Sequence, residues 1–225
     1  MRQIGEFAID AIYPKRCCGC RRRGRWVCDA CREQVALYAP PWCTRCGIPA
    51  SRGACACRTL PASIDRFRAA GPYDGWIGLA VVAMKYHGEW ARAEHLGETL
   101  AAPLAFAPLD ALVVAMPLHP ARLRRRGYNQ VDLIAQAAAR QTGHRIDPLL
   151  RRVRDTPHQV GLDGDARRRN VRDAFAVRDP AKVAGRTVVV VDDVVTTGAT
   201  VGACANALRR AGAASIWVVS LALEG

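Results

Sequence analysis

Nine of the ten cysteines in this 225-residue chain lie between Cys17 and Cys57, and the tenth, Cys204, stands alone near the other end. Eight of the nine form close pairs: Cys17/Cys20, Cys28/Cys31, Cys43/Cys46 and Cys55/Cys57. The clustering divides the chain into a head, residues 1–58, and a larger half, residues 59–225. Thiols at this density belong either to the disulfides of an exported miniature domain or to metal sites. The opening MRQIGEFAIDAIYPKR carries acids inside its only apolar stretch, unlike a secretory signal, and the repeated C-x-x-C spacing favours metal.

Each C-x-x-C places two sulfurs at the tip of a tight turn, and a second pair after a short loop completes a tetrahedron. Soft thiolates suit zinc or iron–sulfur over magnesium or calcium. The head therefore reads as two consecutive zinc ribbons with two structural Zn2+ sites, and a filled four-cysteine site leaves no open position for chemistry. The final C-x-C is tighter than usual and keeps an iron–sulfur cluster as the minor alternative. Cys18 reads as a bystander, and Trp26, Trp42 and Tyr38 as cover for a small metal-held core before they read as base-stacking aromatics. The larger half has a core of its own, so metal removal is expected to unfold the head and leave the rest largely cooperative.

The formal charge is +13, with eleven Lys/Arg against four Asp/Glu in residues 1–58 and 22 against 16 beyond. Two zinc ions with eight thiolates would bring the head to about +3. A solvated arginine-rich surface explains the excess as well as nucleic-acid binding does, for which Arg21, Arg22, Arg23 and Arg124 are the candidates. Half the residues are apolar, yet no window approaches the ~18 continuous apolar residues of a membrane span, so the chain reads as soluble, cytoplasmic and without membrane insertion.

In the larger half, 75–86 and 89–102 read as helices, and ALVVAMPLH (111–119) as a short buried strand ending in a proline-bearing loop. The basic RLRRRGYNQ reads as a loop, followed by a helix with Asn129 as N-cap and Gly143 past its end. LLRRV and DAFAV suggest strands flanking the loop 154–172. A strand at Val188–Val191, a helix from about Ala199 to Ala211 and the strand SIWVVSLAL close the chain. Such alternation implies an α/β fold: a mostly parallel sheet with helices on both faces, whose ligands gather at the carboxyl ends of the strands. Lys85, near a helix end, reads as solvated before it reads as a phosphate ligand, and His119 stands out among the histidines by its place after Pro117-Leu118.

The sharpest signal is TVVVVDDVVTTGAT, residues 187–200: an apolar run, two acids, then a hydroxyl- and glycine-rich turn into a helix. Backbone N–H groups at that helix start, with Gly198 unobstructed, suit a phosphate, whereas Asp192 and Asp193 would repel one. A ligand with hydroxyls for the acids and a phosphate for the turn reconciles them, and a ribose 5-phosphate has both.

These residues closely resemble the phosphoribosyl-pyrophosphate (PRPP) signature of type I phosphoribosyltransferases. Together with the cysteine pairs, Pro117-Leu118-His119, Arg124 to Gln130 (R-R-R-G-Y-N-Q) and Arg168-x-Asn170-Val171-x-x-Ala174-Phe175, the chain is similar to the ComF/GntX family of competence-associated proteins over nearly its whole length. The resemblance implies that Asp192 and Asp193 bind ribose hydroxyls; that Thr196, Thr197, Gly198, Ala199 and Thr200 hold the 5′ phosphate; and that Pro117 and Leu118 meet the pyrophosphate. It further implies Mg2+ arriving with PRPP, and Arg125 and Arg126, beside Arg124 on a mobile loop, stabilising the departing pyrophosphate as catalytic groups. Single-stranded DNA and a helicase-like ATPase of the competence machinery are the implied partners. Two readings follow: a PRPP-binding DNA-uptake factor, and an active phosphoribosyltransferase whose acceptor is read by residues 59–75 or by the ribbons.

Overall fold

The computed structural model describes residues 15–52, 55–155 and 173–224. The opening segment, His158-Gln159, and Arg168, Asn170 and Val171 of the R-x-N-V motif lie outside them. The head carries a short helix, α1 (Asp29–Glu33), inside the first pair of cysteine turns. Beyond it the order is β1 (Arg66–Pro72), α2 (Gly75–Tyr86), α3 (Ala93–Leu104), β2 (Leu112–Ala115), α4 (Pro120–Arg126), α5 (Gln130–Thr142), β3 (Leu150–Arg152), β4 (Phe175–Val177), α6 (Pro180–Val183), β5 (Thr187–Val195), α7 (Ala199–Arg210) and β6 (Ser215–Leu223). Among the described residues no helix is long and apolar enough to cross a membrane.

Strands β1-β6-β5-β2 form one parallel sheet in that order, and β3 and β4 form a separate antiparallel pair. Val188 to Val191 are fully buried, as a central strand with both faces covered requires. The sequence ends this strand at Val191, but β5 runs on through both acids to Val195. The reason is unequal neighbours: β2 stops at Ala115 opposite Val191, while β6 continues pairing until Leu223 meets Val195. Past Val191 the β2 side of β5 is left to the loop that carries Pro117 and Leu118.

Two further expectations change. The basic stretch is helix α4, not a loop: Pro120 opens it, the His119 ring accepts the Ala121 N–H at 3.3 Å, and Gly127, at φ 84°, ends it. Residues 66–72, within the stretch offered as an acceptor hood, are instead the sheet's edge strand. RFRAAGP, poor in β-branched residues, lacks the usual strand signal, and pairing with β6 decides it.

The head docks on the free edge of β1. Tyr38 N–H donates to the Ala70 carbonyl at 2.8 Å and Phe67 N–H to the Arg45 carbonyl at 2.7 Å, shielding an edge that would otherwise invite pairing. Gly47 is needed there, since its φ is 67° and a Cβ would lie 2.6 Å from the Phe67 carbonyl oxygen. Two buried arginines fasten the ribbons. Arg92 donates to the carbonyls of Trp26 and Arg16, each at 3.2 Å, and lies 4.6 Å from the Trp26 ring centre; Arg68 donates to the Thr44 carbonyl at 3.1 Å and lies 5.5 Å from that of Trp42. The head tryptophans are thus plates for arginines of the larger half. Cys17, Cys18, Val27, Cys31 and Val35 belong to the same apolar core as Trp76, Ile77 and the sheet.

Candidate functional site

Successive side chains of a strand point to opposite faces, so Asp192 and Asp193 diverge. Asp193, 4% exposed, faces α2 and α5. Its Oδ1 receives Lys85 Nζ at 2.9 Å and the Val194 N–H at 2.7 Å, and its Oδ2 receives Gln130 Nε2 at 2.7 Å. Asp192, 8% exposed, lies on the other face, where its charge acts on Cys204 of α7 and Arg152 of β3. Burial first, and the Asp193 charge second, push the Asp192 carboxyl up to about 7 against the pull of Lys85 and Arg152. Burial disfavours charge on Lys85 too, yet Asp193, with Asp192 behind it, holds its ammonium above the ordinary range.

Lys85 is therefore no solvated helix-end lysine. It lies on the Ile77-Val81 stripe of α2, one i+4 step further, and its side chain is 24% exposed. Gln130, buried at the start of α5, is a site residue that the motif does not reveal; its signal is the spacing Gln130, Ile134, Ala138, which puts it on the buried stripe of the helix. The G-Y-N-Q segment is a set of fasteners. Tyr128 Oη donates to the Met84 carbonyl, Asn129 Nδ2 to the Met116 carbonyl at 3.0 Å, and Gln130 Oε1 accepts from Arg126. Arg126 is thereby one residue removed from Asp193, while Arg124 and Arg125 are exposed to solvent. His119 caps α4, with Asp155 3.8 Å from its ring.

At the end of β5, Thr196 and Thr197 are exposed, and Gly198 takes a φ of 74° as N-cap of α7 with no side-chain cap bond. A Cβ at Gly198 would lie 3.0 Å from Pro61 and one at Gly202 2.9 Å, so glycine serves both the turn and the close approach of Pro61. Ala199 is buried and Thr200 half-buried at the helix start. A cavity of about 450 Å³ opens beside this turn, lined among others by Thr197, Gly198, Asn206 and Arg210. Both acids, the turn and the 117–118 loop share the carboxyl edge of the sheet.

The cysteines gather as two tetrads in sequence order, Cys17/Cys20/Cys28/Cys31 and Cys43/Cys46/Cys55/Cys57, with ligand sulfurs all within 4.8 Å of one another in each. A tetrahedron with Zn–S of about 2.3 Å has sulfurs about 3.8 Å apart. The Cys17–Cys28 and Cys20–Cys28 separations are 3.7 and 3.6 Å, while the tight Cys55–Cys57 pair is at 2.9 Å. Backbone N–H groups of Cys46 and Arg45 draw the Cys43 thiol down to about 6, and the hydrogen bond that the Cys57 thiol shares with Cys55 pushes Cys57 up to about 12. Four such thiols do not ionise together without a cation, and the two tetrads fit two structural zinc ions. Cys18 stays outside, its thiol directed at the Trp76 carbonyl at 3.4 Å, and Cys204 is a fully buried core residue.

A phosphoribosyl transferase domain family model matches residues 133–225, and a double zinc ribbon domain model matches residues 8–60. DNA utilization protein YhgH of Salmonella typhi is 35% identical over 206 residues, covering 85% of this chain and 88% of that protein. Competence protein F of Haemophilus influenzae is 30% identical over 226 residues, covering 92% and 96%. Among solved structures, the glutamine phosphoribosylpyrophosphate (PRPP) amidotransferase from B. subtilis complexed with ADP and GMP aligns at 25% identity with a TM-score of 0.39, over 57% of this chain and 26% of that one.

Proposed function

Because the chain belongs to the ComF family, alongside competence protein F and DNA utilization protein YhgH, we propose that it binds PRPP and acts in natural competence, in the cytoplasmic handling of incoming single-stranded DNA. The observation that carries this reading is one stretch of β5 and α7. Buried acids stand directly before a glycine-led helix start at the open carboxyl edge of a parallel sheet. Asp192 and Asp193 accept the ribose hydroxyls, Thr196 to Thr200 hold the 5′ phosphate, and Pro117 and Leu118 border the pyrophosphate. Mg2+ comes with the ligand, as the family resemblance implies. The division into a ribbon head, 1–58, and a phosphoribosyltransferase domain, 59–225, is part of the same proposal.

Calorimetric titration with PRPP in Mg2+ tests it: saturable binding is expected, and none at millimolar ligand removes the reading. The tether from Asp193 through Gln130 to Arg126 favours a second reading, an active transferase. There the bond from C1 to pyrophosphate breaks, one from C1 to an acceptor forms, the acceptor proton leaves to solvent, and Arg125 and Arg126 meet the departing charge. Screening purines, pyrimidines and DNA for pyrophosphate release separates the two.

For DNA, Arg21, Arg22, Arg23 and Arg124 are all exposed. Binding to single strands is expected to be weak and strongly salt-dependent, with log affinity falling by about 0.7 per phosphate contact for each unit of log salt. Replacing Arg21, Arg22 and Arg23 with alanine is expected to flatten that slope by up to about 2. A slope unchanged by the triple substitution places the DNA elsewhere, and no binding at low salt favours the transferase reading. The helicase-like ATPase partner is proposed on family membership alone.

A further inference from the structure

We propose that Lys85 is a positioning residue of this site: it is the fixed counter-ion of Asp193, and through Gln130 the same carboxylate holds Arg126, so that the ribose-reading acid and the pyrophosphate-facing arginine are set as one unit. The inference rests on the reading of Asp192 and Asp193 as ribose-binding acids.

An ionised carboxylate offers about four lone-pair sites. Three on Asp193 are taken, by Lys85 Nζ, the Val194 N–H and Gln130 Nε2. One remains for a ligand hydroxyl. A carboxylate 4% exposed beside a second buried carboxylate is costly to keep charged without a cation in contact, and Lys85 is that cation. It reaches the site from α2, outside the β5–α7 signature. Tyr128 clamps the end of α2 by donating to the Met84 carbonyl next to Lys85, and the residues after Tyr128 supply Gln130 and, behind it, Arg126. A purely structural ion pair would need neither the amide on the second oxygen nor the arginine on that amide.

The charged and titratable groups facing the acid pair are Lys85 of α2, Tyr73 just before α2, Arg152 of β3 and Cys204 of α7, with Arg126 behind Gln130. Arg152 acts on Asp192, and the cation in contact with Asp193 is Lys85. PRPP affinity of the unmodified protein is accordingly expected to rise with pH through about 7, as Asp192 loses its proton.

The test compares unmodified protein, Lys85→Met, Lys85→Arg and Gln130→Leu by PRPP calorimetry in Mg2+ between pH 6 and pH 9. Carbon NMR of the aspartate carboxyls is followed in parallel without ligand. Lys85→Met is expected to lower affinity about tenfold to a hundredfold at pH 7, as lost charge-assisted contacts do, and to recover at high pH with the midpoint moved upward. Lys85→Arg is expected to keep the unmodified curve, and Gln130→Leu to weaken PRPP more than ribose 5-phosphate, because Arg126 is released. An Asp192 carboxyl that titrates identically in the unmodified protein and in Lys85→Met overturns the proposal even if PRPP never binds, and should Lys85→Met fold poorly, equal weakening of PRPP and ribose 5-phosphate by Gln130→Leu overturns it instead. An affinity loss equal at every pH overturns it as well, leaving a structural ion pair. Failure of the unmodified protein to bind PRPP removes the ribose reading itself, a separate outcome.

Discussion

Stripping zinc from the purified protein is expected to weaken the whole molecule, not the head alone. Structural zinc supplies on the order of 10 kcal/mol or more to small ribbons, and their folding disappears with the metal. A head hung on a linker would unfold by itself. Here Cys17, Cys31, Val27 and Val35 share a core with Trp76 and Ile77, the head shields the edge of β1, and Arg68 and Arg92 place guanidinium groups on carbonyls of the head. If the ribbons melt, Arg92 keeps Glu89 and Arg68 keeps the Phe67 carbonyl, but both buried cations lose their acceptors in the head and the edge strand loses its cover. The measurement is calorimetric unfolding of protein shown by metal analysis to carry two zinc ions, before and after chelation, since Trp26 and Trp42 of the head share any tryptophan signal with Trp76. A large fall in the main transition is expected. An unchanged main transition would mean that the larger half stands alone, and a metal content near one would remove the Cys55/Cys57 site.

The sequence shows periodic and punctuated elements well because local chemistry decides them. Helix α5 begins after Asn129 and stops at Gly143 as its caps require, and β6 covers the whole apolar run SIWVVSLAL. What it hides depends on neighbours. Strand β1 exists because β6 offers it an edge, and β5 outruns its valines because β6 outlasts β2. The acids of the candidate site were legible as a motif, but not their divergence to opposite faces, which follows once the strand is known to continue through them. Lys85 was hidden for a similar reason. Its identity suggests solvent, while its spacing from Ile77 and Val81 places it against the sheet, and spacing decides when a carboxylate waits there.

That divergence makes the two acids unequal, and their asparagine variants are expected to separate. Asp192 carries its proton in the folded chain up to about 7 but releases it near 3.8 when unfolded, so the folded state binds the extra proton between those values. Stability therefore falls as pH rises through that window. Asp192→Asn removes the buried charge and is expected to raise stability at pH 8 by ~2 kcal/mol and to flatten the decline. Asp193→Asn instead strands Lys85 beside a neutral amide, and a partly exposed cation left without its partner costs about 1–3 kcal/mol. Both substitutions remove a charge-assisted acceptor worth about 1.5–3 kcal/mol, so each is expected to lower PRPP affinity at least about tenfold in Mg2+. Neither touches a cysteine, so zinc content stays the same. Urea unfolding at pH 5.5 and pH 8, with calorimetric titration of the same samples, checks both halves. Unchanged affinity in both variants would sink the ribose assignment, while equal destabilisation by both would sink the distinction between an Asp192 whose buried charge destabilises the fold and an Asp193 anchored by Lys85. A protein that gains stability and loses its ligand on the same Asp192→Asn substitution has a carboxylate kept buried for binding at the expense of the fold.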